Sequence, residues 1–454
     1  MDEAVTSNPV IALSGFIAII ALLFLFITKF KWHVFLALLV PIVLFAVLPG
    51  INREVFIDAF ETGFGDTVGG IAVVIVLGCM IAEALKHTGG AERITMSMVS
   101  FVGRRRMPLA LTLAGFVIGL AIFSDVGYVV LNPLVHSAAV AAGTNMSVMA
   151  TGLVVSMQLT HAMVPPTPGP LAAIAVVGAD IGRVILFGTI ATFIGALASY
   201  VYARVVGPFV ESPPSEEFIG QSLLEADEES RAKMPSTVWA YAPILIPLLL
   251  IAGQSVASLS LPEEHFVNSV MTYLGWPVVA LGIGVLLAYR NARAEEHREE
   301  RTSNWVEEAL RVSAMIIVVT GLGGSLSEIL QATPTVDQIA QAVAASGVPV
   351  IFLPFVLGII GNMITGSTTV GVIAGASLSA PLMAQTGLSP EAVVLAAAAG
   401  SVIIKYMNSS YFWVCTSLSR MPLRSALISY GGGTLVGGVF SMVAVFILWL
   451  FGLI

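Results

Sequence analysis

Four short polar patches interrupt an otherwise apolar chain, and they hold the residues able to do chemistry. They are Ser124-Asp125-Val126-Gly127, a stretch from Thr160-His161 to Pro165 and Thr167, Gly366-Ser367-Thr368-Thr369, and Lys405 through Asn408-Ser409-Ser410-Tyr411. A carboxylate, an imidazole, an ammonium, several hydroxyls and an amide suit ligand binding and proton movement. They do not suit bond cleavage: the chain contains no His-Glu-x-x-His and no Gly-x-Ser-x-Gly element. Cys79 and Cys415 lie in apolar stretches, without disulfide or metal-ligand spacing. No enzymatic activity, metal or cofactor is expected, and an intramembrane hydrolase is the remote alternative.

Each group has a functional and a structural reading. A buried ammonium is expensive and usually functional, so Lys405 is expected to attract an anion or to replace a coupling cation. The alternative is a structural pair with Asp125 or another acid. Asp125, expected to be desolvated in a turn, and His161, of the type that titrates near neutrality, are the proton-coupling candidates. His161 could instead be a neutral side chain bonded within its segment, and the Ser and Thr hydroxyls could satisfy freed backbone groups. Glu83 and Glu328 read as helix braces, and Phe412-Trp413 as packing.

The elements that position these groups must lie in lipid. Of 454 residues, 57% are hydrophobic and 11% charged, against roughly 25% charged in soluble domains. Apolar runs recur from end to end, which predicts an all-α polytopic membrane protein with the bilayer as partner and no nucleic acid. The run Pro9–Thr28 follows Asp2 and Glu3 with no basic residue between, and reads as a retained span rather than a signal peptide. Further spans are expected near 33–48, 67–85, 181–205, 237–256, 270–288, 305–326 and 423–451, with 52–65 a short amphipathic connection. Segments 107–142 and 348–384 carry polar middles. Their arms of about 17 residues reach roughly 25 Å as helix, short of a ~30 Å core, so each reads as a re-entrant hairpin, with tips at 124–127 and 366–369. Four prolines after Met163 cannot continue a helix. The span from 147 is therefore broken there, and the span from 390 is broken at 405–411. Irregular backbone survives at membrane depth only against protein or a water-filled cavity, and the helix ends beside it offer N–H groups to an anion.

The two halves match at one offset. Gly78 to Leu85 (G-C-M-I-A-E-A-L) aligns with Gly323 to Leu330 (G-G-S-L-S-E-I-L), Val126-Gly127 with Val370-Gly371, and Pro165 with Ser410, each about 245 residues apart. Five spans and one hairpin per half make the second half inverted, the pattern of a secondary transporter with a midplane site. The domains are then 1–206, a linker 207–236, and 237–454. With this topology Lys29, Lys31, Lys86, Arg93, Arg104, Arg105, Arg106, Arg204, Arg231, Lys233, Arg290, Arg293, Arg298, Arg301, Arg420 and Arg424 share one side, and Arg53 and Arg183 the other. The positive-inside rule then puts both termini outside the cell membrane.

His161-Ala162-Met163-Val164-Pro165-Pro166-Thr167-Pro168-Gly169-Pro170 resembles the signature of the gluconate:proton symporter (gluconate permease) family. Asp125-Val126-Gly127-Tyr128-Val129, Gly89-Gly90-Ala91-Glu92-Arg93-Ile94, and Asn408 with Phe412-Trp413-Val414 are similar to other motifs of that family. The resemblance implies proton-driven uptake of a sugar acid such as gluconate. The wider ion transporter superfamily implies a scaffold with a moving transport domain, usually as a homodimer. Thr167, Ser409 and Tyr406 stand where the family pattern has histidine, aspartate and histidine. The exact acid and the coupling ion are open on that ground, and a sodium-coupled carboxylate carrier or an ion/proton antiporter is the alternative. Within that frame the hydroxyls and amides of Ser124, Thr167, Ser367, Thr368, Thr369, Asn408, Ser409, Ser410 and Tyr411 are expected to meet substrate hydroxyls. Asp125, Gly127, His161, Pro165, Gly366 and Lys405 complete the expected site.

Overall fold

Asn52 decides where the third helix begins. In this computed structural model its Oδ1 accepts the Glu54 and Val55 N–H groups at 3.2 and 3.4 Å, and the helix runs unbroken over Arg53–His87. Segment 52–65 is thus helix and not a connection. Phe56, Ala59, Phe60 and Gly63 continue the three-to-four-residue spacing of the span that follows, and that periodicity carries the helix through.

The structure describes residues 4–6, 8–103, 106–215, 234–262, 264–291, 303–334, 347–403, 405–406 and 409–454. The acidic middle of the linker, Asn408, and Arg104, Arg105, Arg231, Lys233, Arg293, Arg298 and Arg301 lie outside them. The described residues are helical and contain no strand. The first half comprises α1 (Pro9–Thr28), α2 (Val34–Ala46), α3 (Arg53–His87), α4 (Gly90–Val102), α5 (Met107–Ile118), α6 (Ser124–Ala141), α7 (Met146–Met163), α8 (Pro168–Val177) and α9 (Ile181–Val206). The second comprises α10 (Thr237–Ser260), α11 (Phe266–Leu274), α12 (Pro277–Asn291), α13 (Asn304–Gln331), α14 (Phe352–Thr365), α15 (Thr368–Ser379), α16 (Pro390–Val402), α17 (Ser410–Leu418) and α18 (Leu423–Leu450), the last with a π-helical turn at Leu427–Gly431.

Six of these stretches are long and apolar enough to cross a membrane: α3, α7 with α8, α9, α10, α13 and α18. The expected straight span at 270–288 is instead the pair α11 and α12, bent by 63°. Pro277 at the start of α12 cannot donate into a continuous ladder, and Gly275 lies where a Cβ would meet Gln254 Cβ at 2.3 Å.

Small residues bring helices of the first and second half of the chain together. Helix α3 packs along α13, where a Cβ on Gly63 would lie 2.6 Å from the Gly324 carbonyl oxygen. Helix α9 packs along α18, where a Cβ on Gly195 would meet Gly437 O at 2.6 Å. Close backbone approach of this kind is how helices associate in lipid, where apolar burial alone gives no preference for protein over acyl chains. The pairs α8 with α15 and α6 with α17 also pack together, as do α5 with α7 and α14 with α16.

Hydrogen bonds gather the helix ends into separate sets. Val5 N donates to Ala332 O and Asn52 N to Val5 O, both at 2.8 Å, and an Arg183 guanidinium nitrogen donates to Leu453 O at 2.8 Å. Arg93 Nε donates to Pro235 O at 2.8 Å, Asn145 Nδ2 to Gly207 O at 2.9 Å, and Asn291 Nδ2 to Trp239 O at 2.7 Å. None of these bonds joins a segment assigned to the basic side with one assigned to the other.

Candidate functional site

Both hairpins turn where the sequence offers helix-capping residues. Helix α5 ends through Gly119, and the turn occupies 119–123, so Ser124, Asp125 and Gly127 form the first turn of α6 rather than the tip. A serine and an aspartate suit a helix start, where free N–H groups and the positive end of the dipole favour them. Asp125 is exposed at the mouth of the site and not desolvated, and its Oδ1 accepts Val126 N at 3.0 Å. In the second hairpin α14 ends at Gly366, whose φ of +71° is the left-handed C-cap that glycine tolerates. Ser367 then caps α15, its Oγ accepting Val370 N at 3.3 Å.

The two long helices are interrupted opposite these turns. Helix α7 stops at Met163, the chain passes through 164–167, and α8 restarts at Pro168, an N-terminal position where a missing N–H costs nothing. Thr167 Oγ1 donates to Val164 O at 2.7 Å and so satisfies a freed carbonyl. Helix α16 stops at Val402, and α17 restarts at Ser410. The starts of α8 and α15 meet closely, with a Cβ on Gly169 falling 3.5 Å from Thr369 Cα. Helix α6 is held to the end of α17 by Tyr128 Oη and Ser419 Oγ at 2.5 Å, and by His136 Nε2 and Leu418 O at 2.9 Å. His136 Nδ1 accepts Ser215 N at 2.9 Å, which fixes Nε2 as the donor.

These interruptions surround a cavity of about 380 Å³, within the usual range of ligand sites. The structure brings Ser124, Asp125, His161, Gly366, Ser367, Thr368, Thr369, Lys405, Ser409 and Tyr411 to its wall. Thr167 lies with Pro166 and His161 in a smaller crevice against Gly78 and Cys79 of α3. Pro165 and Gly127 line neither space, and Gly127 instead faces Met157, whose Cε a Cβ would approach to 2.2 Å. Asn408 falls outside the described residues, as does the side chain of Ser410. Phe412 is fully buried and tilts edge-on to Tyr430, and neither it nor Trp413 lines the cavity.

Three wall residues were not anticipated: Phe123, Gln158 and Thr365. Gln158 had a usable signal. It is a buried amide on an apolar helix, one turn before His161, which puts both on one face. Its Nε2 donates to Thr368 Oγ1, joining the halves across the cavity. Gln158 Oε1, Ser124 Oγ and His161 Nδ1 are buried and have no hydrogen-bond partner among the described residues. Unpaired buried polar atoms are costly in a folded protein, and all three belong to residues of the cavity wall.

Lys405 is 1% exposed. Its Nζ donates to Asn362 Oδ1 at 2.5 Å and to Gly366 O at 3.2 Å. The expected alternative of a pair with Asp125 or another acid is not found among the described residues, where no carboxylate lies within ion-pair distance of Nζ. The side-chain amide oxygen of Asn362 and the Gly366 carbonyl at the end of α14 take that place, at the negative end of the helix dipole. Tyr406 Oη donates to Met363 O at 2.6 Å and Tyr411 Oη to Val154 O at 3.0 Å. Glu83 accepts Lys86 Nζ at 3.2 Å, with His87 at 3.4 Å, a bracing contact within α3. The described residues hold no cluster of three or more metal-ligating side chains.

Helix starts, hydroxyls and a buried ammonium around one cavity are the parts of a solute site. A gluconate permease of Pseudomonas aeruginosa is 29% identical over 439 residues, covering 96% of this chain and 97% of its own. A high-affinity gluconate transporter of Escherichia coli is 29% identical over 90% of this chain and 93% of its own, and a D-serine transporter of the same organism is 28% identical over 94% and 96%. The crystal structure of the Alcanivorax borkumensis YdaH transporter superposes with a TM-score of 0.54 at 17% identity, over 88% of this chain and 90% of that one, which establishes a shared fold. The family model described as GntP family permease matches residues 11–454. This chain belongs to the GntP family of permeases and is a multi-pass membrane transporter, not an enzyme.

Proposed function

We propose that this permease is a secondary active transporter that imports a sugar acid, gluconate or a related hydroxycarboxylate, together with protons. One observation carries the reading. The cavity wall combines the N-terminal turns of α6, α15 and α17 and a buried ammonium with three unpaired polar atoms. The helix starts and Lys405 suit the carboxylate, and Gln158, Ser124 and the threonines suit the hydroxyls of a polyol chain. Asp125 and His161 are the proton-coupling pair, one at the mouth and one on the buried wall. A D-serine transporter among the relatives favours a second reading, in which the acid carries an amine beside its hydroxyl.

The architecture in this proposal is two inverted repeats of five spans and one hairpin, 1–206 and 237–454, joined by the cytoplasmic linker 207–236. The packing of α3 on α13 and of α9 on α18 supports it, as do the matched pairs α8 with α15 and α6 with α17. The separate gathering of helix ends supports both termini on the outer face of the cell membrane, with the basic loops inside. In a homodimer the α3–α13 layer would serve as scaffold, while the hairpins and broken helices carry the cavity across it as an elevator.

A thermal-shift panel of gluconate, other aldonates, glycerate, lactate, D-serine and dicarboxylates tests the substrate class. A saturable rise in Tm confined to hydroxy acids is expected. A response to dicarboxylates alone would overturn the reading.

A further inference from the structure

We propose that Lys405 is a cation built into the protein, and that its ammonium fills a seat that a mobile monovalent cation would otherwise occupy. The seat lies at the C-terminus of α14, where the last carbonyls of the helix have no partner within it. Its oxygens are Asn362 Oδ1, 2.5 Å from Nζ, and Gly366 O at 3.2 Å. Neutral carbonyl and amide oxygens at a helix C-terminus, with no carboxylate among the described neighbours, are the donor set that hard monovalent cations share with an alkylammonium. The lysine backbone is fixed as firmly as its head, because Lys405 N donates to Thr434 Oγ1 at 3.1 Å. Asn362 is locked by its own Nδ2, which donates to Ile403 O at 3.1 Å, so its oxygen must face the ammonium.

The repeat offset places Thr160 or His161 opposite Lys405, and His161 Nδ1 has no partner among the described residues. An ammonium has three donors. Two go to the seat, and because Lys405 also lines the cavity, the third is left for a ligand anion. The same charge therefore pins the tip of the second hairpin and receives the substrate, so no cation from solution is needed on this side. This rests on the transport reading above, but the seat can be tested without any substrate.

The experiment uses the full-length protein with the buried Cys79 and Cys415 replaced by alanine, and Lys405→Cys in that background. Sodium-free choline buffer is compared with added Na⁺ or Li⁺, before and after alkylation by 2-bromoethylamine, which restores an ammonium of nearly lysine length. The expected result has three parts. Uptake by Lys405→Cys falls at least about tenfold in choline, because two buried acceptors lose their donor. Alkylation returns most of it. Na⁺ or Li⁺ returns part of it and raises Tm saturably in the unalkylated variant, but not in the parent or the alkylated protein. The proposal is overturned if the variant transports normally in choline, if neither alkylation nor small cations restore it, or if the parent itself requires sodium. Should Lys405→Cys not fold in choline, purification in sodium decides. Recovery of monodisperse protein only with Na⁺ supports the proposal, and loss in both buffers overturns it. The Tm arm needs no ligand, so it can succeed or fail independently of the sugar-acid assignment.

Discussion

The two helix breaks answer the same physical problem with different chemistry. At 164–167 the backbone is interrupted by prolines, which have no N–H to satisfy, and one hydroxyl, Thr167 Oγ1, covers the Val164 carbonyl. The polar groups beside it, His161 Nδ1 and Gln158 Oε1, have no partner among the described residues. At 403–409 the interruption is held by bonds to the neighbouring hairpin: Asn362 to Ile403, Lys405 to Asn362 and Gly366, and Tyr406 to Met363. One break is closed with few bonds and leaves polar atoms beside it without a partner among the described residues. The other spends its polar atoms on a fixed frame. In the proposed inverted repeat, symmetry would place the cavity, and this difference would orient an asymmetric acid in it.

Changes at the framed break should cost the most stability. Asn362→Leu removes an acceptor from a buried ammonium and a donor from Ile403 O. A loss of about 2–5 kcal/mol is expected, since each buried group left without its partner costs about 1–3 kcal/mol, more when it is charged, read as a large fall in Tm. A shift close to zero would show that the frame does not hold the second hairpin. At the open break the expected effects fall on transport instead. Asp125→Asn or His161→Ala should abolish proton-driven accumulation while substrate counterflow persists, measured in the same vesicles. Unchanged pH-dependent accumulation in both variants would remove these residues from the coupling step.

Smaller changes sharpen the contrast. Gln158→Leu deletes, from a residue of the cavity wall, a buried acceptor with no partner among the described residues and a donor to Thr368. Its KM for a polyhydroxy acid should rise about tenfold, the worth of one to two hydrogen bonds to substrate, with little change for an acid lacking those hydroxyls. Equal changes for both acids would make Gln158 structural. Tyr406→Phe loses only the bond to Met363 O and should cost about 0.5–1.5 kcal/mol in denaturant unfolding, with uptake nearly unchanged.

Much of this arrangement was legible in the sequence because interruptions of apolar helices have their own residue types. The prolines after Met163, Gly366-Ser367 and Lys405 each announce a break in a stretch that is otherwise apolar. The family could also be read, since the segment from His161 to Pro170 is distinctive. What the sequence hid depends on contacts far apart in the chain. Asn362 looks like any polar residue in a hairpin arm until Lys405 and Ile403 lie against it. Gln158 gains its meaning from Thr368, 210 residues away. The exposure of Asp125 could not be inferred either, because a polar residue near a hairpin turn can face the cavity mouth or the protein with equal local propensity. The start of α3 was missed for a simpler reason: charged residues at 53–61 masked a helix whose apolar face was already in register.

Uptake by proteoliposomes under imposed gradients tests proton-coupled sugar-acid import most directly. Purified protein should accumulate labelled gluconate, or the hydroxy acid that binds best, when the outside is acid and sodium is absent. An uncoupler should dissipate that accumulation. Accumulation driven by an inward sodium gradient at equal pH, and absent with protons alone, would contradict the proposal.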